Sequence, residues 1–149
     1  MKTIARVLLM LALGAAPAWA VLGGYESSVS LDQMYLRGED RVVTAQGYRL
    51  HQITSPSGAV VTEYVTPEGR VFGVSWRAPV IPNLEQLLGS YITTVQQAEH
   101  AQTHRGRGGP FIVRANDLVF VSGGHMRAFH GSAYVPSLLP TNVSAEVVR

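Results

Sequence analysis

Apolar residues recur at Leu84, Leu87, Leu88, Tyr91, Ile92 and Val95, spaced i, i+3, i+4, i+7, i+8 and i+11. Ser90, Thr93, Thr94, Gln96 and Gln97 fill the positions between them, so the pattern predicts an amphipathic helix of about 17 residues. Asn83 is its N-cap, because a short side-chain oxygen there accepts from an otherwise orphaned N–H, and Gln86 stands at the reciprocal capping-box position. Gly89 inside this helix costs about 1 kcal/mol relative to Ala, which implies a close approach to the sheet. A shorter helix is predicted from Ser30-Leu31-Asp32-Gln33, an S-x-x-Q capping box, with Leu31, Met34 and Tyr35 on one side and an end at Gly38. The residues before it, Val21 to Ser28, read as an extended, loosely held start with Gly23-Gly24 as a joint.

Elsewhere the apolar period shortens to two. Ser55-Pro56-Ser57-Gly58 and Thr66-Pro67-Glu68-Gly69 share one turn grammar, with Pro at the second position, where its φ is already suitable, and Gly at the fourth. They delimit strands over about 47–54, 59–66 and 70–76, and alternation puts Phe72, Val74 and Trp76 on one face opposite Gly73 and Ser75. After Pro79 and Pro82 and the long helix comes a second β region. Asn116-Asp117 forms a two-residue turn that pairs Ala115 with Leu118 and Val113 with Phe120. Phe111, Val113, Ala115, Leu118 and Phe120 then share a face, and Gly123-Gly124 predicts the next turn, into a strand from His125. Ser144 to Val148 reads as one helical turn. The fold class is α+β: an antiparallel sheet of about five or six strands, in two three-stranded meanders, packed on one long amphipathic helix.

The N-terminus carries a different pattern. Lys2 and Arg6 precede an apolar run from Val7 to Ala16, and Ala18-Trp19-Ala20 is a small-x-small sequence. That order is the signature of a secretory signal peptide over residues 1–20, cleaved after Ala20, leaving one domain over 21–149. The run is shorter than the roughly 20 apolar residues of a spanning helix, and no later stretch approaches that length. The expected location is therefore periplasmic or secreted. The chain has 12 Lys+Arg and 10 Asp+Glu; with Lys2 and Arg6 removed, the mature part has 12 − 2 = 10 basic residues against 10 acidic ones. Overall basicity thus belongs to the leader and gives no reason to expect nucleic acid as a partner. There is no cysteine, which excludes thiol catalysis, Cys-ligated zinc and disulfide stabilisation. No cofactor is expected.

Candidate chemistry is sparse. His125 and Arg127, in Ser122-Gly123-Gly124-His125-Met126-Arg127, would fall on the face of Phe120 and Phe129 if the chain turned at the glycines. They are then either anion-recognising groups of a small pocket or polar groups held by structural partners, such as an aromatic ring beneath Arg127. Trp76 is a candidate binding platform, with core packing as the alternative. His100 and His104, four apart, are weak candidates for a shared metal ion, since Ala101 replaces the Glu of an H-E-x-x-H motif and a third ligand is not evident. Gly73-Val74-Ser75-Trp76-Arg77 begins like a nucleophile elbow but has Arg77 where the second Gly belongs. Glu63 and Glu68 lie near a hairpin end with nothing to fix them as a carboxylate pair. Arg105-Gly106-Arg107-Gly108-Gly109 reads as a connector and not as a P-loop or an RNA-binding segment.

Tyr64, Phe72-Gly73-Val74-Ser75-Trp76, Leu87-Leu88-Gly89 and Ser122-Gly123-Gly124-His125-Met126-Arg127-Ala128-Phe129 resemble an uncharacterised family of small exported bacterial proteins, catalogued as a domain of unknown function. The resemblance covers nearly all of the mature chain and implies an envelope or secreted location, but no activity. Taken with the export signal and the lack of convergent catalytic groups, the expected role is a non-enzymatic binding or assembly module with an envelope protein partner. A periplasmic small-ligand or metal-binding protein is the alternative, and an envelope hydrolase a third.

Overall fold

The computed structural model describes residues 22–101 and 109–149; the expected leader over 1–20, His104, Arg105 and Arg107 lie outside them. Seven antiparallel strands form one sheet in the order β1-β2-β3-β4-β7-β6-β5. The strands are β1 (Glu39–Ala45), β2 (Tyr48–Thr54), β3 (Val60–Val65), β4 (Val71–Ala78), β5 (Phe111–Ala115), β6 (Leu118–His125) and β7 (Ala128–Tyr134). A four-stranded meander and a three-stranded one are joined along β4 and β7, and β1 and β5 are the edges. The expectation of five or six strands fell short at β1, whose exposed Val42 and Val43 show no apolar alternation because an edge strand covers so little. The two Pro-Gly turns form as predicted: Gly58 N donates to Ser55 O (3.0 Å) and Gly69 N to Thr66 O (2.9 Å).

Helices cover one face of the sheet. They are α1 (Val29–Leu36), α2 (Leu84–Leu88) and α3 (Ile92–Ala101), with a 3-10 turn over Gly89–Tyr91 between the last two. The single long helix of the sequence pattern is thus interrupted, because Gly89 takes φ 51°, ψ −125°, a conformation that side-chain-bearing residues avoid. Leu87, Leu88 and Val95 nevertheless pack as the stripe requires, against Val61, Val74, Trp76, Val113, Leu118, Phe120 and Ala133. Asn83 caps α2 by accepting from Gln86 N (3.2 Å). The reciprocal bond is not made; the Gln86 side chain turns to Asp32.

Three further expectations are corrected. In α1 the buried residues are Val29 and Asp32, while Met34 is 73 % and Tyr35 58 % exposed, so the helix faces the sheet with a carboxylate and turns its larger apolar residues outward. Its N-cap is Ser28, whose Oγ donates to Tyr25 O and makes no capping bond, and Ser30 Oγ donates backward to Ser27 O (3.0 Å). The segment before α1 is firmly held: Leu22 is buried and donates to Leu87 O (3.1 Å), and Gly23 N donates to Val71 O (2.8 Å). In β4, Tyr64 pairs with Gly73 but Val65 with Val71. Phe72 is the extra residue of a β-bulge, which swings it away from Val74 and Trp76 to the opposite face. There it joins Tyr64 and Val148, with Tyr48, Tyr134, Leu139 and Val143 around them. The C-terminal tail, including the helical turn Ala145–Val147 capped by Ser144, therefore covers part of the second face.

The β5–β6 hairpin follows the predicted register, Val113 opposite Phe120 and Ala115 opposite Leu118, with Asn116 and Asp117 both at positive φ as a type I′ turn needs. The next turn lies further along the chain. β6 continues through both glycines, His125 pairs with Ala128, and Met126 with Arg127 forms the turn.

Leu88 is 0 % exposed at the centre of the helix layer. Leu88→Ala is expected to lower stability by about 2–5 kcal/mol, through lost burial plus a cavity, measured by chemical denaturation.

Candidate functional site

Alternation along the strands brings His51 and Ile53 of β2, Val61, Glu63 and Val65 of β3, and Asp40 of β1 to the helix side. Beneath α1 this gathers an unusual number of ionisable groups. His51 Nδ1 lies 2.8 Å from Asp40 Oδ2 and its Nε2 lies 3.0 Å from Glu26 Oε1. Arg49 also grips Glu26 with two N–H groups, Nε at 2.9 Å. Both ring nitrogens of His51 thus face carboxylates, and neither is open toward a substrate. Glu26 is held below its ordinary range by the Arg49 guanidinium and by His51, against a smaller effect of burial.

Deeper in, Gln86 Nε2 donates to Asp32 Oδ1, and Asp32 faces Glu63, which is 2 % exposed. Glu63 Oε1 and Oε2, Asp32 Oδ2 and Gln86 Oε1 are buried without a formed hydrogen bond. Burial, and then the neighbouring Asp32 and Asp40 carboxyls, push Glu63 well above the usual carboxylate range. Burial likewise raises Asp32 from 3.8 to about 6, partly offset by Gln86 and Glu63. Burial thus favours the protonated form of Glu63. These groups are closed off from solvent, so the cluster anchors α1 to the sheet and offers nothing to a ligand.

The opposite face is open where the tail leaves it uncovered. A groove of about 670 Å³ runs across the strands, floored by Gln52, Thr62, Ser75 and Ser132 and bordered by Arg77, His130 and Arg149. It shares Val60, Arg77 and His130 with a second hollow of about 550 Å³ that adds Arg127 and Phe129. No Asp or Glu side chain lines either. Register explains the floor: Gln52 pairs with Thr62, Thr62 with Ser75 and Ser75 with Ser132. Arg77 pairs with His130 one rung along, placing two basic side chains about 5 Å apart at Cβ. The His130 ring leans over Gly123, where a Cβ would stand 3.4 Å from Nε2. Among the described residues neither Arg77 nor Arg127 makes an ion pair.

Of the binding residues singled out from the sequence, Arg127 lines the second hollow and Trp76 the groove itself. Arg127 occupies the turn, at φ 69°. His125 is exposed and its Nδ1 contacts Met126 O at 3.1 Å; it is not brought to the face of Phe120, because the hairpin closes at Met126-Arg127 and not at the glycines. The Trp76 indole is 3 % exposed and packs on the helix side, its ring centroid 5.8 Å from that of Phe120, while the residue also lines the groove. The aromatic ring beneath an arginine is found elsewhere, with Arg70 4.8 Å from the centre of Tyr25. His100 is exposed in the last turn of α3, and its suggested partner His104 lies outside the described residues. Among the described residues no group of three His, Asp or Glu side chains is placed to hold a metal ion, and no helix is long and apolar enough to cross a membrane. Sequence reasoning missed His130, Gln52, Thr62 and Ser132, and met Ser75 and Arg77 only in a rejected nucleophile elbow. The signal within reach was the run of small polar residues on one face of neighbouring strands, readable only once the strands are paired.

Fold and site together define an α+β protein with one antiparallel sheet, helices on one face and a polar, cation-bordered groove on the other. The chain belongs to the family described as Protein of unknown function (DUF2844), whose model matches residues 18–148. No curated protein and no solved structure matches it.

The raised carboxyls have a consequence for stability. Below 4.5 and 3.8, the ordinary values of Glu63 and Asp32, native and unfolded chains both hold these protons. As pH rises, the unfolded chain releases them first, so stability falls until the native values, about 6 for Asp32, are passed. Glu63→Gln keeps a donor toward Asp32 and has no proton to lose. It is expected to flatten this fall and to be more stable than the parent by about 1–3 kcal/mol at neutral pH, the scale of one relieved buried group. Thermal melts of both proteins from pH 4 to pH 8 check this.

Proposed function

We propose that this protein is an exported, non-enzymatic binding module of the cell envelope that holds an anionic ligand in the groove on its open sheet face. One observation carries the reading: Arg77, His130, Arg127 and Arg149 border two hollows that share Arg77 and His130 and are lined by no acidic side chain. Guanidinium groups that make no ion pair, as Arg77 and Arg127 do not among the described residues, bind carboxylate, sulfate or phosphate through forked, charge-assisted hydrogen bonds. Binding is favoured over turnover because no carboxylate of the lining stands beside His130 to orient it, and His51 is engaged at both nitrogens. Location outside the cytoplasm rests on Lys2, Arg6, the apolar run Val7 to Ala16 and the Ala18-Trp19-Ala20 sequence.

Titration calorimetry with sulfated dextran and with uncharged dextran tests the charge requirement. The sulfated polymer is expected to bind and the uncharged one not, and Arg77→Ala is expected to weaken binding about 10-fold or more, the loss of one charge-assisted contact. Equal affinity of the parent for both polymers, or unchanged affinity in Arg77→Ala, would sink the proposal.

A further inference from the structure

Charge alone does not describe this groove, because its floor is neutral. Gln52, Thr62, Ser75 and Ser132 come from four adjacent strands and lie in one register line. At about 4.8 Å between strands the line extends about 14 Å across the sheet. Hydroxyl and amide side chains both donate and accept. Ser75 is the deepest of them, already linked to Tyr64 Oη at 3.2 Å, while Gln52 is exposed and Thr62 and Ser132 are half-buried. The basic groups Arg77 and His130 occupy the neighbouring rung, about 7 Å away along the strands.

The ligand that matches this has neutral hydroxyls along one line and negative charge along a parallel one. We infer that the groove binds an acidic glycan, a chain of sugar units bearing both hydroxyls and carboxylates, laid across the strands. The inference deepens the anion-binding reading above and rests on it. Sugar acids present hydroxyl groups on one edge of each ring and a carboxylate on another, so both rungs are used together. An acidic peptide carries charge without that row of hydroxyls. It cannot join by strand addition here either, because the strands flooring the groove are already paired on both sides. A free phosphate engages Arg77 and His130 and leaves Gln52 and Thr62 idle.

The test compares three probes by titration calorimetry at about 0.15 M ionic strength: a galacturonate oligosaccharide, the same oligosaccharide fully methyl-esterified, and polyglutamate of similar charge. The galacturonate is expected to bind, its neutral ester not to bind, and polyglutamate to bind at least about 10-fold more weakly. Thr62→Val and Ser132→Ala, each confirmed as folded by its melting curve, are expected to weaken galacturonate binding about 3- to 10-fold, the loss of one hydrogen bond. Their affinity for polyglutamate should not change. Polyglutamate binding as tight as galacturonate, or galacturonate binding untouched in both hydroxyl variants, overturns the glycan assignment while leaving an anion groove in place. If no anionic probe binds, the anion-binding reading itself fails.

Discussion

The seam between the two meanders rests on one contact, the indole of Trp76 lying across Gly131. The two residues are opposite each other on β4 and β7, and a Cβ on residue 131 would stand 2.2 Å from Trp76 Cζ2. Only a residue without a side chain admits the ring, so the contact selects one register out of several that backbone hydrogen bonding alone would allow. A slip of one residue along a strand would turn every side chain to the other face. With the seam fixed, Ser75 meets Ser132 and Arg77 meets His130, and the groove follows.

The two faces divide the charges of the molecule between them. Glu26, Asp32, Asp40 and Glu63 are gathered under α1, where His51, Arg49 and Gln86 engage three of them and burial favours the protonated form of the fourth. Arg77, Arg127 and Arg149 are left bordering the other face. A composition with ten cations and ten anions beyond residue 20 therefore conceals locally uneven charge. Net charge was a sound guide to the absence of a global field, but a poor guide to this surface, because a groove responds to the groups within a Debye length of it and not to the sum.

Local patterns in the sequence were translated faithfully wherever neighbouring residues decide the outcome. The Pro-Gly turns after Thr54 and Val65, the Asn116-Asp117 turn, the Asn83 cap and the shared face of Val113, Leu118 and Phe120 are of that kind. Errors arose where a local preference met a tertiary demand. The i, i+3, i+4 pattern ran unbroken through Gly89, but packing both halves of the stripe on a twisted sheet needs the left-handed kink there. Two glycines were the obvious turn in β6, yet the strand runs on through them, since Gly123 leaves space for the His130 ring and Arg127 takes the positive φ of the turn itself. In α1 the larger apolar residues, Leu31, Met34 and Tyr35, were placed on one working side, whereas burial falls to Asp32, because Glu63 and Gln86 supply it with polar company that no linear pattern records.

The sequence by itself determined the class of fold, the family, the lack of thiol chemistry and most of the strand and turn boundaries, because these follow from periodicity, turn stereochemistry and composition within a few neighbouring residues. Of the binding residues proposed from it, Arg127 and Trp76 line the two hollows, Arg127 for a reason the structure did not keep. The remainder of the groove is made of single Ser, Thr, Gln, Arg and His residues on separate strands, each unremarkable in its own segment. Only the pairing of the sheet, with the bulge at Phe72 and the Trp76–Gly131 seam, brings them into line, since side chains from distant segments become neighbours through register, and register is settled by packing across the whole sheet.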